Sequence, residues 1–446
     1  MISRKRISSR NTNKPKYRLS EKRQPVFVHI TGIFAYHILK SIMKREINMQ
    51  NSNLTGKEKR NTLRAEINSP SLYVHGAYSE KSVCKPVSFP IYQTATFENP
   101  GLNLECPYSY TRCANPTRSA LEATVAKAEN GRYCHAFSSG LSAILAVFSL
   151  LSSGDHVILS EDIYGGTYRL MNVIFKRFGI ECTLADFEDI RNVELACRKN
   201  TKLIFTETPS NPMARITDIE KCAETAHTAG ALLCVDNTFL TPYLQNPLTL
   251  GADIVVHSGT KYLCGHNDTS AGFVVINDER INEKLEYISK TEGTALSPFD
   301  SWLVMRGMKT LELRINRHEE NARKVCEWLC NNRNVEKVYY SGIKESKGYD
   351  IIKKQARGFG SVISFRLKYA TLVGSVLSGG NTIIFAESLG GVESLITYPL
   401  TQTHATTPKE LRAKLGIDEK LIRLSCGIEP CEDIIADLEI TLGKNI

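Results

Sequence analysis

A chain of 446 residues, 42% hydrophobic and 23% charged, can bury a large core in two or three domains and has the make-up of an ordinary soluble globular protein. Its net charge of +9 sits at one end: residues 1–48 hold twelve Lys/Arg and two Asp/Glu, which leaves 44 basic and 45 acidic residues for the rest. A neutral body gives no electrostatic reason for a nucleic-acid or membrane partner, and thirteen scattered cysteines without a CxxC pair read as reduced thiols in a cytoplasmic protein that holds no metal.

Residues 1–48 read as a basic, disordered extension, typified by RKRISSRNTNKPKYRLSEKR. VFVHITGIFAYHIL within it is too short to span a bilayer, and no small-residue cleavage site follows. Its Arg and Ser content suits an organellar presequence, and equally a natural start at Met49; no function is assigned to it. Residues 49–110 read as an arm, extended from Tyr73 to Phe97 and ending at Tyr110, with Arg112 just beyond. Asn115-Pro116-Thr117 then starts a helix that Asn130-Gly131 stops.

From there to about residue 305 strands and helices alternate, which predicts a mainly parallel sheet covered on both faces. Ser138-Ser139-Gly140 opens an apolar helix from Leu141, and free amides at such a start form an anion site. HVILS is a strand followed by Tyr164 and a Gly-Gly turn. KLIFTETPSNP is a strand ending in Glu207, with Asn211 beyond it, and ALLCVDNTF ends in Asp236, Asn237 and Thr238. The next strand, Ile254-Val255-Val256, runs into His257-Ser258-Gly259-Thr260 and delivers Lys261; a further strand covers Ala271 to Ile276. After about residue 305 the texture changes. A long helical pattern with a bend near Gly307 leads into a smaller mixed domain, 306–446, whose strands are GSVISFRL, NTIIFAESLGG and KLIRLSCGIE, closed by the helix CEDIIADLEITLGKN.

Ligands bind beyond the C-terminal ends of strands in open α/β sheets, so Tyr164, Asn211, Asp236 and Lys261 are expected at one rim. A lysine after a strand is ordinarily a solvated turn residue; the company at that rim tips the balance. Together these residues fit pyridoxal 5′-phosphate. Lys261 offers an amine for the aldehyde, Asp236 a carboxylate for the pyridine nitrogen, and Tyr164 a flat surface for the ring. The Gly140 and Leu141 amides with Ser258 and Thr260 offer donors for the phosphate.

DIVVHSGTKYLCGHND, with VDNTF before it, resembles the cystathionine γ-synthase, γ-lyase and β-lyase family, the pyridoxal-phosphate enzymes of transsulfuration. The likeness runs from about Tyr73 to the C-terminus through YTRCANPTR, FSSGLSAI, YGGTYRL, ETPSNP, SLGGVESL, QTHA and LIRLSCGIE. It implies a type I pyridoxal-phosphate fold, with a large domain over 111–305 built on a seven-stranded, mainly parallel sheet. By the same likeness Lys261 is the Schiff-base lysine and proton shuttle, Asp236 pairs with the pyridinium, and Tyr164 stacks and takes a proton from the incoming amine. Asn211 contacts the ring's phenolic oxygen, while Ser139 and Thr238 belong to the cofactor's surroundings. Arg423, with Ser388, clamps the substrate α-carboxylate, and Glu387 lies beside them on the substrate side.

Tyr110 and Arg112 are implied to reach the phosphate of a neighbouring subunit, so that a homo-oligomer, a dimer of dimers, takes small amino-acid substrates. Gly259 stands where many relatives have Ala, Leu141 where many have Met, and Gly166 where methionine γ-lyases place a reactive cysteine. ITYPLTQTHA is similar to γ-synthases and O-acetylhomoserine thiol-lyases, RFGIECTLADF and ARGFGSVISF to β-lyases. The expectation is cystathionine γ-synthase chemistry on an acylated homoserine and cysteine, with elimination from cystathionine as the alternative and a silent cofactor-binding subunit as the non-enzymatic one.

Overall fold

Seven strands form the first sheet of the computed structural model, which describes residues 70–77, 86–104 and 106–443. They are β1 (Tyr133–Phe137), β2 (His156–Ser160), β3 (Glu181–Ala185), β4 (Thr201–Glu207), β5 (Leu232–Asp236), β6 (Ile254–Ser258) and β7 (Gly272–Ile276). Their spatial order is β1-β7-β6-β5-β4-β2-β3. β3, β2, β4, β5 and β6 run parallel, and β7 lies antiparallel between β6 and β1.

Side chains alternate between the two faces of a strand. Val255, Val235, Ile204 and Ile158 enter one apolar cluster with Leu121 and Val125 of the helix Pro116–Ala128 and Ala226 of the helix Ile219–Thr228. Ile254, Val256, Cys234, Phe205 and Leu159 pack on the other face against Ala143 and Val147 of the helix Gly140–Phe148. Both faces are dry, so these strands read in the sequence as continuous apolar runs. The helix starts are local chemistry: Asn115 accepts from the Thr117 amide at 2.9 Å with Pro116 at the first helical position. Asp218 caps the helix Ile219–Thr228, its side chain accepting from the Lys221 amide.

The second sheet has the order β10-β11-β12-β9-β8, with β8 at Val335–Tyr339, β9 at Val362–Leu367, β10 at Ile384–Phe385, β11 at Leu395–Thr397 and β12 at Leu421–Ser425. Ile363, Phe365, Ile422 and Leu424 face Val325 and Leu329 of the helix Leu311–Asn331 and Ile434 and Leu438 of the helix Cys431–Leu442.

Two expectations differ from what forms. Tyr73 to His75 lie in a short helix, Pro70–His75, where extended chain was expected. Tyr73 is 3% exposed and meets the Tyr243 ring edge-on at 6.3 Å, so tertiary packing decides its backbone. The long helical pattern is two helices, Pro298–Met308 and Leu311–Asn331. The break falls beside the expected bend near Gly307, which is itself helical and packs so closely that a Cβ there would lie 2.0 Å from the Cys264 carbonyl oxygen. The chain turns at Lys309 and Thr310, where the Gly307 carbonyl accepts from Arg314 Nη2 at 2.8 Å and from the Thr310 hydroxyl at 3.2 Å. The extension 1–48 lies outside the described residues. Among the described residues no helix is long and apolar enough to cross a membrane.

Candidate active site

Parallel strands deliver their C-terminal ends to one edge, and a cavity of about 390 Å³ opens there. Register fixes its floor. Glu207, the last residue of β4, is the Cα partner of Asp236, the last residue of β5, and Asp236 in turn pairs with Val256 of β6. Two residues past Val256, Ser258 ends β6, and Lys261 follows on a tight turn closed by Lys261 N–H to the Ser258 carbonyl at 3.2 Å.

Lys261 Nζ donates to Ser388 Oγ at 2.8 Å. Burial, and then the charge of Arg423, brings its pKa down to about 8, against an opposing pull from Glu387. Such an amine is partly neutral near physiological pH and serves as nucleophile or base. The residue that receives it, Ser388, has φ of 134°, a region that disfavours side chains and marks strain held by its surroundings. Asp236 Oδ1 accepts from the Thr238 amide at 2.9 Å and the Thr238 hydroxyl at 2.5 Å. No hydrogen bond reaches Oδ2 among the described residues, which leaves it for a donor within the cavity. Burial raises the Asp236 pKa, and the Thr238 bonds oppose that. A cationic N–H placed there would therefore be held strongly.

The phosphate-sized corner is built by close approach. Ser139 caps the helix Gly140–Phe148, its hydroxyl accepting from the Ser142 amide at 3.1 Å. Gly140 and Leu141 are the first residues of that helix, and their amides have no partner within it. A Cβ on Gly140 would lie 2.8 Å from the Ser258 Cβ, so only glycine lets the helix start meet the end of β6. Thr260, on the same rim, is tied to the backbone of Ala271.

Arg423 comes from β12 and is 1% exposed. Its Nη1 donates to Asn211 Oδ1 at 3.0 Å and its Nη2 to the Ser388 carbonyl at 2.7 Å and the Thr397 hydroxyl at 3.1 Å. Its Nε is buried without a partner among the described residues. No carboxylate forms an ion pair with Arg423 among the described residues, and a guanidinium that lines a cavity is a site for an incoming one. Burial brings the Arg423 pKa down to about 10, which sharpens the need for an anion.

Of the residues expected at the site, Ser139, Gly140, Leu141, Tyr164, Asn211, Asp236, Thr238, Ser258, Thr260, Lys261, Glu387, Ser388 and Arg423 all line this cavity. Ser388 turns its hydroxyl to Lys261 and gives Arg423 only its carbonyl. Tyr110 and Arg112 do not line it. Tyr110 is 43% exposed, and Arg112 stacks 5.4 Å over its ring while bonding the Lys290 carbonyl. Sequence reasoning missed Ile144, Glu207, Phe239, Ser270, Leu389 and Thr403 as lining residues. Glu207 carried the same signal as Asp236, an acid closing a buried strand, and was read only as a strand end.

Lys261 at the mouth of an anion corner, the open Oδ2 of Asp236 and the Gly140 cradle fit pyridoxal 5′-phosphate. Comparison with known proteins points the same way. Cystathionine gamma-lyase of Bacillus subtilis (strain 168) is 48% identical over 368 residues, 82% of this chain and 97% of that protein. Cystathionine beta-lyase of Lactococcus lactis subsp. cremoris (strain MG1363) is 47% identical over 371 residues, 83% of this chain and 98% of that one. The crystal structure of a cystathionine gamma synthase from Xanthomonas oryzae pv. oryzae superposes with a TM-score of 0.82 at 39% identity, covering 84% of this chain and 97% of its own. With residues 70–443 matching the family described as "Cys/Met metabolism PLP-dependent enzyme", the chain belongs to that family of enzymes and takes pyridoxal 5′-phosphate as its cofactor.

Proposed function

We propose that this enzyme works at Cγ of homocysteine-skeleton amino acids, joining cysteine to an acylated homoserine to form cystathionine. The observation that carries the reading is Glu387, a carboxylate on the wall of the same cavity, whose charge is felt by both Lys261 and Arg423. Chemistry at Cγ moves protons at two carbons, so it needs an amine that loads and unloads easily with an anion beside it. When bound, pyridoxal 5′-phosphate supplies the aldehyde that captures the substrate nitrogen and the ring that takes up negative charge from Cα.

The protein's residues do the rest. Arg423, whose guanidinium lines the cavity, holds the α-carboxylate. Lys261 takes the proton from Cα, and a pKa near 8 lets it give the proton back further along the chain. Asp236 keeps a positive pyridine nitrogen in place, and Tyr164 covers the ring. The Cγ–O bond breaks and the acyloxy group leaves as a carboxylate, and the sulfur of cysteine, giving up its proton, forms the new C–S bond at Cγ. We place the enzyme in the cytoplasm as a homo-oligomer in which Tyr110 and Arg112 complete the neighbouring site.

Elimination from cystathionine is the second reading, favoured by relatives bearing the lyase names. One product assay on purified protein separates them. O-acyl-homoserine with cysteine should yield cystathionine. Cystathionine alone giving homocysteine and pyruvate would make it a β-lyase, and cysteine with 2-oxobutyrate a γ-lyase. Inactivity in all three arms, from protein carrying the visible absorbance of bound cofactor, would end the catalytic assignment.

A further inference from the structure

Glu207 has no part in the chemistry derived above, yet it is a buried acid on the cavity floor beside another acid. Its two oxygens are both used. Oε1 accepts from the Asn211 amide at 2.6 Å and Oε2 from the Tyr164 amide at 3.2 Å. These amides belong to two different loops. One begins the short helix Gly165–Arg169 and carries the tyrosine that faces the cofactor ring. The other follows β4 and carries the asparagine whose Oδ1 holds Arg423 at 3.0 Å. We propose that Glu207 is a positioning residue that sets the ring-covering Tyr164 and the Asn211–Arg423 carboxylate clamp in fixed relation to each other; this rests on the assignment of those residues given above.

The arrangement needs a carboxylate. Two N–H donors converge on one side chain, and only an acid offers an acceptor to each; glutamine would turn an NH₂ group toward one of them. Retaining an acid here is costly. Burial, then the adjacent Asp236 and then Asp162 raise the Glu207 pKa well above the usual carboxylate range, with the two amide bonds as the opposing pull. A neutral hydrogen-bonding residue would avoid that charge, but it would release one of the two loops. The consequence is directional. With Glu207 altered, the ring cover and the clamp move independently, so substrate affinity falls together with the asymmetry in which the ring is held.

The experiment uses the cofactor-loaded full chain and the variants Glu207→Gln, Glu207→Asp and Asn211→Ala. It measures kcat and KM for whichever amino-acid substrate the product assay identifies, and the visible circular dichroism of the bound cofactor. Glu207→Gln is expected to keep the visible absorbance of the parent, halve or more its dichroic band, and lower kcat/KM by about 10- to 100-fold, mostly through KM. Glu207→Asp keeps both acceptors on a shorter arm and should recover most of that loss. Asn211→Ala keeps the backbone amide that Glu207 holds but removes the Oδ1 link to Arg423, so in that background Glu207→Gln no longer reaches the clamp and should change KM less than about twofold. Parent-like KM and dichroism in folded Glu207→Gln would overturn the proposal, as would independent, multiplying effects of the two substitutions. If Glu207→Gln does not fold, Glu207→Asp decides alone, and an unchanged KM overturns it. If Lys261→Ala keeps the parent's visible spectrum, the site assignment itself fails and this proposal falls with it.

Discussion

Lys261 and Asp236 are held in opposite states of electrostatic discomfort, and both can be read out by titration. Burial lowers the folded Lys261 pKa from 10.5 to about 8, so the unfolded chain binds more protons between those values. Stability of the cofactor-free protein therefore rises with pH across that window, by up to about 3 kcal/mol. Lys261→Met should flatten the rise in denaturant melts at pH 7.5 and pH 10. Asp236 has the opposite sign. Its folded pKa is raised, so its contribution is greatest at acid pH and is lost as pH rises through the raised value. Asp236→Asn cannot ionise, and the cofactor-free variant should be more stable than the parent at pH 8. The same variant should lose nearly all turnover. A variant no more stable than the parent would mean that the acid is solvated.

One turn, residues 259–265, holds the lysine, and the structure shows what holds the turn. Arg314 Nη1 donates to the Tyr262 carbonyl at 2.8 Å, while Gly307 lets its helix sit directly on the Cys264 carbonyl. Gly307→Ala should cost about 1–3 kcal/mol in denaturant melts and weaken cofactor retention in dialysis, because the Cβ displaces the lysine turn. Gly259 has a matching cause: a Cβ there would lie 2.4 Å from the Phe273 ring. The continuous apolar runs and the residues closing them were legible, since each strand carries its pattern locally; thirteen of the cavity's residues came from that reading and the family likeness together. The Tyr73 helix and the double use of Glu207 were not. Each depends on a partner far away in the chain, a ring or a second loop, which no local period encodes.

At the scale of the whole molecule, Tyr110 and Arg112 stand outside the cavity of their own chain. If, as we propose, they serve a neighbouring site, Lys261→Ala and Arg112→Ala chains should each be weak alone. Mixed by co-expression, they should regain about one quarter of parental activity, since half of randomly paired dimers would carry one intact site of two. Recovery no greater than the sum of the separate variants would show that each chain is self-sufficient. The cavity also draws Lys261 and Asp236 from the first sheet and Arg423 from β12 of the second, near the end of the chain. A growing polypeptide still tethered at the ribosome can thus own its first-sheet cofactor donors and its amine while nothing receives a carboxylate. Loading with the vitamin and recognition of the amino acid become separable events in biosynthesis, the second waiting on the last stretch to emerge.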